Sequence, residues 1–311
     1  MGANAKAASI AGDLAVQNAR VRAIGEDAGG FRPISEKDLF DCEYWSLEQA
    51  KLGKGAPPKF QGKIVMITGG SGTIGFAIAE AFSKLGAQTV LVDKDETTLK
   101  KAITKLGHGH GYFPIDVTEA DAADQAMLAA IQKFGGLDIL VSNAGAAHAG
   151  PMLSISNDEL RSAFELNFFS HYSFSTAAAK ILKNQNRGGQ ILFNISKQAV
   201  NPGKNFGAYG LPKATTFFLM RQLALELGSD GIRVNGVNAD RIRSGLLTDD
   251  FISSRAKSRG VSESEYMAGN LLSKEVTAEH VADAFTSLAC AESTTGHVMT
   301  VDGGNIEASL R

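Results

Sequence analysis

Cysteine is nearly absent from this chain. The two present in 311 residues, Cys42 and Cys290, lie far apart and belong to no CxxC or Cys/His spacing, which excludes a disulfide framework and a structural zinc site. Both are expected to act as small buried hydrophobes, and no metal site is expected. Long apolar runs are missing as well. No stretch is long enough to cross a bilayer, and Met1 to Arg20 lacks the uninterrupted hydrophobic segment of a secretory signal. The cytoplasm is therefore the expected location, with no membrane partner. Net charge is slight, at -2, so the chain has no general pull toward nucleic acid or anionic lipid. Any charge-driven recognition has to come from a local cluster.

What is present suits a folded α/β protein. With 44% hydrophobic and 21% charged residues, the chain can build one large domain or two small ones. Composition changes near residue 60. Before it lie an Ala-rich, helix-favouring stretch from Ala5 to Ile24, a loop interrupted by Gly29, Gly30 and Pro33, and an amphipathic piece, Phe40 to Leu52, that carries Tyr44 and Trp45. Gly53-Lys54-Gly55-Ala56-Pro57-Pro58 then reads as a turn and linker. Residues 1–58 are expected to form a helical extension or inter-domain linker, and residues 59–311 a catalytic domain.

From Gly62 onward the pattern repeats strand, turn, helix, strand. Short apolar runs predict strands at Lys63–Thr68, Thr89–Asp93, Gly111–Asp116, Ile139–Asn143, Gln190–Ile195, Arg233–Asn238 and His297–Val301. Apolar spacing predicts helices at Gly75–Leu85, Ala120–Phe134, Asp158–Leu182, Ala208–Leu227 and Ala278–Leu288. Strands of this kind joined by right-handed crossovers give a doubly wound, Rossmann-type parallel seven-stranded sheet with helices on both faces.

The first strand runs into Thr68-Gly69-Gly70-Ser71-Gly72-Thr73-Ile74-Gly75 and a helix opening Phe76-Ala77-Ile78-Ala79. GxGxxG can be read on Gly70, Gly72 and Gly75. Few side chains there let backbone N–H groups and the positive end of a helix dipole approach a pyrophosphate. A lone GxGxxG says little. Here a strand precedes it, a helix follows it, and the next strand ends in Asp93 at close to the gap of about 20 residues that dinucleotide folds use. Gly69, Ser71, Gly72, Thr73, Ile74 and Gly75 are thus expected to contact the cofactor. Asp93 is expected to accept from the ribose hydroxyls and to repel a 2′-phosphate, which selects NAD. A solvated acidic cap, Asp93-Lys94-Asp95-Glu96, is the plain alternative.

Tyr209 and Lys213 stand one turn apart on a helix, so their side chains share a face. A free phenol titrates at about 10, and a neighbouring ammonium stabilises the phenolate and draws it toward working pH. Pro212 lies between them and is tolerable if the helix starts near Ala208, where the first N–H groups lack intrahelical partners. Ser196 follows the Gln190–Ile195 strand, so its hydroxyl emerges at the carboxyl end of the sheet, where it can bond a substrate oxygen as charge develops. Each residue also has a structural reading: a surface Tyr/Lys pair, a serine cap and a satisfied helix asparagine at Asn167.

The ordered set resembles the short-chain dehydrogenase/reductase family from Gly62 to the end. The resemblance rests on the glycine loop, Asp116-Val117, Asn143-Ala144-Gly145, then Asn167, Ser196, Tyr209 and Lys213, and Val301-Asp302-Gly303-Gly304. It implies catalytic roles for Asn167, Ser196, Tyr209 and Lys213, with Asn167 holding a water joined to the lysine. It also implies an adenine contact at Asp116 and Val117, further cofactor contacts at Asn143, Ala144, Gly145, Ala239 and Ile242, and a homo-oligomer, dimer or tetramer, built on the long helices. The match is imperfect. Lys197 stands where a second serine is usual, leaving Ser196 uncertain by one position, and the glycine spacing also suits sugar-nucleotide-modifying relatives. Ala239-Asp240 replaces Pro-Gly and is followed by Arg241-Ile242-Arg243-Ser244. With Lys197, Gln198 and Lys204 opposite, these groups imply a small polar hydroxy or carbonyl substrate, or else a surface ion-pair cluster.

The segments Phe40–Lys51, Tyr209–Lys213 and Asn238–Asp249 also resemble the dehydrogenase half of bifunctional aldolase/short-chain dehydrogenases, associated with rhamnulose-1-phosphate cleavage and lactaldehyde oxidation. On that resemblance residues 1–58 join an aldolase domain in longer relatives, and the substrate is lactaldehyde or another small hydroxy-aldehyde or polyol of carbohydrate metabolism. Three functions stand: an NAD-dependent dehydrogenase, an epimerase or dehydratase that retains NAD, and a catalytically silent NAD-binding domain.

Overall fold

The computed structural model describes residues 5–45, 56–147, 149–245 and 247–305. The chain divides into two compact units, 1–62 and 63–311. In the first, helix α1 spans Ala5–Asp27 and α2 spans Glu36–Glu43. Ser35 caps α2 by accepting from the Asp38 N–H at 3.1 Å. The Phe40 and Tyr44 rings, one turn apart on α2, stack at 4.5 Å. The expected amphipathic piece continues to Leu52, but 46–52 fall outside the described residues, as do 53–55 of the expected linker.

In the second unit the elements alternate. Strand β1 (Ile64–Thr68) leads to α3 (Thr73–Lys84), β2 (Gln88–Asp93) to α4 (Glu96–Leu106), and β3 (Gly111–Pro114) to α5 (Ala122–Phe134). After β4 (Ile139–Ser142) come α6 (Asn157–Phe164), a π-helical turn over Glu165–Phe169, and α7 (Ser170–Gln185). Strand β5 (Gly189–Asn194) leads to α8 (Gly207–Leu227), and β6 (Ile232–Ala239) to α9 (Asp249–Arg259), α10 (Glu263–Met267) and α11 (Ala278–Cys290), before β7 (Val298–Val301).

All seven strands are parallel, in the order β3-β2-β1-β4-β5-β6-β7, with helices on both faces. β1 and β4 are buried along their whole lengths, which is why they read as unbroken apolar runs rather than alternating ones. Helix α11 packs on α3, bringing Val281 and Phe285 into the core with Ile78 and Phe82. The chain winds from β1 outward to β3 and then returns to place β4 on the other side of β1. At that reversal the loops after β1 and β4 diverge and leave a crevice at the carboxyl ends of the strands.

Three sequence expectations change. The helix expected over Asp158–Leu182 is interrupted by the π turn, where the Ser170 N–H reaches back to the Glu165 carbonyl. Pro212 lies inside α8 and not among its free first donors, because the Gly210 N–H already bonds the Phe206 carbonyl at 2.7 Å. Neither cysteine is a core residue: Cys42 is exposed and Cys290 half-buried. No helix among the described residues is long and apolar enough to cross a membrane.

Candidate active site

The glycine loop is shaped by close approach as much as by flexibility. Gly69 takes φ +61°, and a Cβ there would sit 3.0 Å from the Ala144 Cα after β4. A Cβ on Gly75, in the first turn of α3, would collide with the Gly69 carbonyl. Only glycine lets the loop fold against both β4 and its own helix. Asn143 staples the same region. Its amide donates to the Thr68 carbonyl at 2.9 Å, and its side-chain oxygen accepts from the Asn194 amide at 2.9 Å, which ties the ends of β1, β4 and β5 together.

One cavity of about 1210 Å³ runs along this edge of the sheet, larger than the ~300–1,000 Å³ that holds a drug-sized ligand. Of the residues expected from sequence, Gly69, Gly72, Thr73, Ile74 and Gly75 line one end of it, beside Asp93, Asp116 and Val117. Asn143, Ala144 and Gly145 line the middle. Ser196, Tyr209, Lys213, Ala239 and Ile242 line the rest. Ser71 and Asn167 do not line it.

Ser71 instead locks the loop to β2: its hydroxyl and N–H donate to one Asp93 oxygen at 2.7 and 3.2 Å. The other Asp93 oxygen accepts from the Lys94 N–H at 2.8 Å. Asp116 accepts from the N–H and hydroxyl of Thr118, at 3.0 and 2.8 Å, and these bonds, the backbone one foremost, hold its carboxyl below the ordinary value. Asn167 is buried in the π turn. Its amide donates to the Ala146 and Ala163 carbonyls at 3.0 and 3.1 Å, and its main-chain carbonyl accepts from Thr216 at 2.7 Å. It thereby clasps the segment after β4 against α8, and a Cβ on Gly145 would lie 2.9 Å from its side-chain oxygen and 3.5 Å from Lys213 Nζ.

Tyr209 and Lys213 stand on the first turns of α8, both nearly buried, with Nζ 5.9 Å from the phenol ring centre. Ser196 sits directly after β5 and Ile195, and its side chain lines the cavity together with the phenol. Burial dominates both titrations. It pushes the Tyr209 phenol up to about 12, with the Ser196 side chain acting against it, and holds the Lys213 ammonium down to about 7. The sequence expectation is that the lysine charge draws the phenol toward neutrality; burial instead moves it the other way.

Nothing in the sequence pointed to the lysine's second partner. Lys213 Nζ donates to the Asn194 carbonyl at 2.9 Å and meets His171 Nε2 at 3.3 Å. His171 is buried, and its Nδ1 lies 2.6 Å from Ser142 Oγ. Burial first, then the lysine charge, hold His171 well below its ordinary value, so it is neutral. A neutral ring with its proton on Nδ1 donates to Ser142 and offers Nε2 to the ammonium.

Past β5 and β6 the lining becomes charged. Asp240 Oδ2 lies 3.3 Å from Lys197 Nζ and 3.5 Å from Arg241 Nε, and accepts from the Asn305 amide at 2.7 Å. The cluster both pairs internally and lines the cavity, so the two sequence alternatives for it are joined. Arg243 pairs with Glu275 and Asp249, each at 2.7 Å, and does not line it. Helices α9 and α10, which the sequence reading left unassigned, supply Phe251, Arg255, Arg259 and Tyr266 to the same wall. Among the described residues no cluster of three His, Cys, Asp or Glu could hold a metal ion.

Comparison with known proteins follows this geometry. A family model described as enoyl-(acyl carrier protein) reductase matches residues 70–305, and one described as class II aldolase, second domain, matches residues 1–52. The uncharacterized oxidoreductase YuxG of Bacillus subtilis is 33% identical over 291 residues; the match covers 89% of this chain, which spans only 42% of that relative's length. The short-chain dehydrogenase reductase 3b of Arabidopsis thaliana is 30% identical, over 79% of this chain and 96% of that one. Among solved structures, L-sorbose reductase from Gluconobacter frateurii, complexed with NADPH and L-sorbose, superposes with a TM-score of 0.73 at 27% identity, covering 80% of this chain and 98% of that one.

Proposed function

This chain belongs to the short-chain dehydrogenase/reductase family, whose members are nicotinamide-dependent oxidoreductases, and from that premise we propose that it interconverts a small polar alcohol or hydroxy-aldehyde and its oxidised form with NAD. The observation that carries this reading is that Ser196, Tyr209 and buried Lys213 line the same cavity as the Gly69–Gly75 cradle. The cradle fits a dinucleotide: the loop is closed to side chains at Gly69 and Gly75, and α3 starts at Thr73 with its N-terminus toward the cavity lining. A nicotinamide bound there supplies the two-electron acceptor or donor for the reacting carbon.

The protein's own groups do the rest. Ser196 donates to the substrate oxygen and holds it against the phenol. Tyr209 as the phenol gives its proton to a carbonyl oxygen in reduction, and as the phenolate takes one from a hydroxyl in oxidation. Lys213 steadies the phenolate that oxidation requires, and its bonds to Asn194 and His171 fix where its charge lies. Asn167 positions Gly145 and α8 around them.

Asp93 supports NAD, because a carboxylate at the end of β2 disfavours a 2′-phosphate. Lactaldehyde or a related hydroxy-aldehyde is the proposed substrate. Its support is the aldolase-type match of residues 1–52, which also favours a 1–58 extension that adjoins an aldolase domain in longer relatives, with 59–311 as the catalytic domain. Cytoplasmic location follows from the same metabolic reading. A homo-oligomer is proposed through the outer faces of the π turn, α7 and α8, where Phe169, Tyr172, Phe218 and Leu225 are exposed. Light scattering should give a dimer or tetramer; a monomer ends that part of the proposal. The deciding assay follows nicotinamide absorbance with NAD and with NADP over lactaldehyde and a polyol panel. Turnover with NAD is expected. Cofactor that stays bound and is never released in reduced form would point to an epimerase, and cofactor binding with no turnover to a silent domain.

A further inference from the structure

Besides Lys213, five cations line the half of the cavity that holds Tyr209: Lys197, Lys204, Arg241, Arg255 and Arg259. Asp240 occupies two of them, Lys197 and Arg241. The other carboxylate on this wall, Glu165, forms no ion pair among the described residues. Three cations are thus left without a carboxylate partner among those residues.

Arg255 is the most constrained of the three. Its guanidinium lies 5.3 Å from the centre of the Phe206 ring and 5.7 Å from that of Phe251, and Phe206 is the residue from which α8 and Tyr209 begin. Its side chain makes no hydrogen bond among the described residues, and its Nε is buried without a partner. Two aromatic rings therefore hold a guanidinium at the cavity wall with its planar fork unspent. A buried Nε–H without an acceptor is costly for a folded chain to keep, and a half-buried guanidinium whose other donors bond nothing among the described residues suits a bidentate oxyanion. Arg259, 5.2 Å from the centre of the Tyr266 ring, and exposed Lys204 add positive charge on the same wall.

We propose that the substrate carries an anionic group, a phosphate or a carboxylate, which Arg255 binds through its guanidinium while Arg259 and Lys204 draw it in. This rests on the dehydrogenase reading for the reacting end of the molecule and adds the identity of the other end. It narrows the substrate from neutral hydroxy-aldehydes and polyols to their phosphorylated or acidic counterparts.

The test uses the full chain saturated with NAD. Turnover is compared over matched sets, glyceraldehyde with glyceraldehyde 3-phosphate and glycerol with glycerol 3-phosphate and glycerate. Binding of inorganic phosphate and of glycerate is measured separately by calorimetry. An anionic member is expected to exceed its neutral partner by about 10–100-fold in kcat/KM, the range of one or two charged hydrogen bonds. Arg255→Gln should cost the anionic member at least about ten times more than the neutral one, chiefly in KM. Whichever of phosphate and carboxylate is lost more steeply in that variant is the natural group. Where Arg255→Gln does not fold, as far-ultraviolet dichroism would show, exposed Arg259→Gln is read in the same way, with a smaller loss.

Turnover of neutral members with no binding of either anion overturns the proposal and leaves the dehydrogenase reading intact. Arg255-dependent binding of an anion with no turnover of any member keeps the proposal and sinks the dehydrogenase reading. A loss that falls on the KM for NAD instead of the substrate assigns Arg255 to the cofactor's phosphates and overturns the proposal.

Discussion

The two ends of the cavity are built from different materials. Around Gly69–Gly75 and Asn143–Gly145 recognition is made of backbone: two glycine positions closed to side chains, a helix N-terminus and amide staples between strand ends. Around Lys197, Asp240 and Arg255 the wall is made of charged side chains, with Arg255 seated on the Phe206 and Phe251 rings. A backbone site tolerates little change and serves one ligand shape. A side-chain site can be rewritten residue by residue, so the first end speaks of the cofactor and the second of what is particular to this chain.

The boundary between the two ends is where the largest effect is expected. Tyr209→Phe keeps the ring and its packing but removes the hydroxyl proposed to carry the proton to and from the reacting oxygen, so kcat should fall by about 10²–10⁴-fold while cofactor affinity holds. Turnover within a few-fold of the parent would place the chemistry elsewhere in the cavity. At the backbone end, Asp93→Ser removes the carboxylate that anchors Ser71 and is proposed to oppose a 2′-phosphate. The preference for NAD over NADP should move toward NADP by about 10–100-fold, read as the ratio of kcat/KM with each cofactor. An unchanged ratio would mean that Asp93 serves only to fasten the loop.

The same contrast decides what could be read from the sequence. Strands β1 and β4 and the glycine loop were legible because complete burial writes an unbroken apolar run and close approach writes glycine at Gly69 and Gly75. Helices α4 and α9 were passed over because they bury little: Leu99 and Ala102 in one, Ile252 and Ala256 in the other. In α9 the apolar spacing is correspondingly faint. The end signals were nonetheless present. Asp95 caps α4 by accepting from Thr97 and Thr98, so the acidic stretch after Asp93 does serve as a cap. Thr248 caps α9, Asp249 and Asp250 occupy its first turn, and Gly260 closes it at φ +69°. Arg255 becomes visible only once that helix is placed. His171 left no such trace, since its approach to Lys213 joins two distant helices and depends on the π turn that precedes α7.

His171 gives a smaller effect, in the layer beneath both ends. His171→Leu fills the same core but leaves the Lys213 ammonium with the Asn194 carbonyl as its remaining described partner. The loss of one hydrogen bond predicts a fall of about 2–10-fold in kcat with KM for substrate little changed. His171→Gln, which can still accept, should recover most of it. Equal losses in both variants would mean that the histidine serves packing alone.

The smallest effect concerns stability and tests the buried lysine without any ligand. Lys213 has an ordinary value of 10.5 and is held to about 7 by burial, so between those pH values the unfolded chain binds the proton and the folded chain does not. Stability from this group therefore rises as pH climbs from about 7 toward 10.5, and below about 7 the folded chain bears the whole cost of a buried ammonium. Tyr209 works in the opposite sense, since its phenol is raised from 10.0 to about 12 and stability falls as pH passes through that window. Below pH 10 the lysine acts alone of the two. Lys213→Met removes it, so the variant's urea midpoint should exceed the parent's most at pH 6–7, with the gap closing by pH 9–10. Parallel curves across that range would show the lysine already paired with a charge and thus not the desolvated ammonium that links the backbone end of the cavity to its charged end.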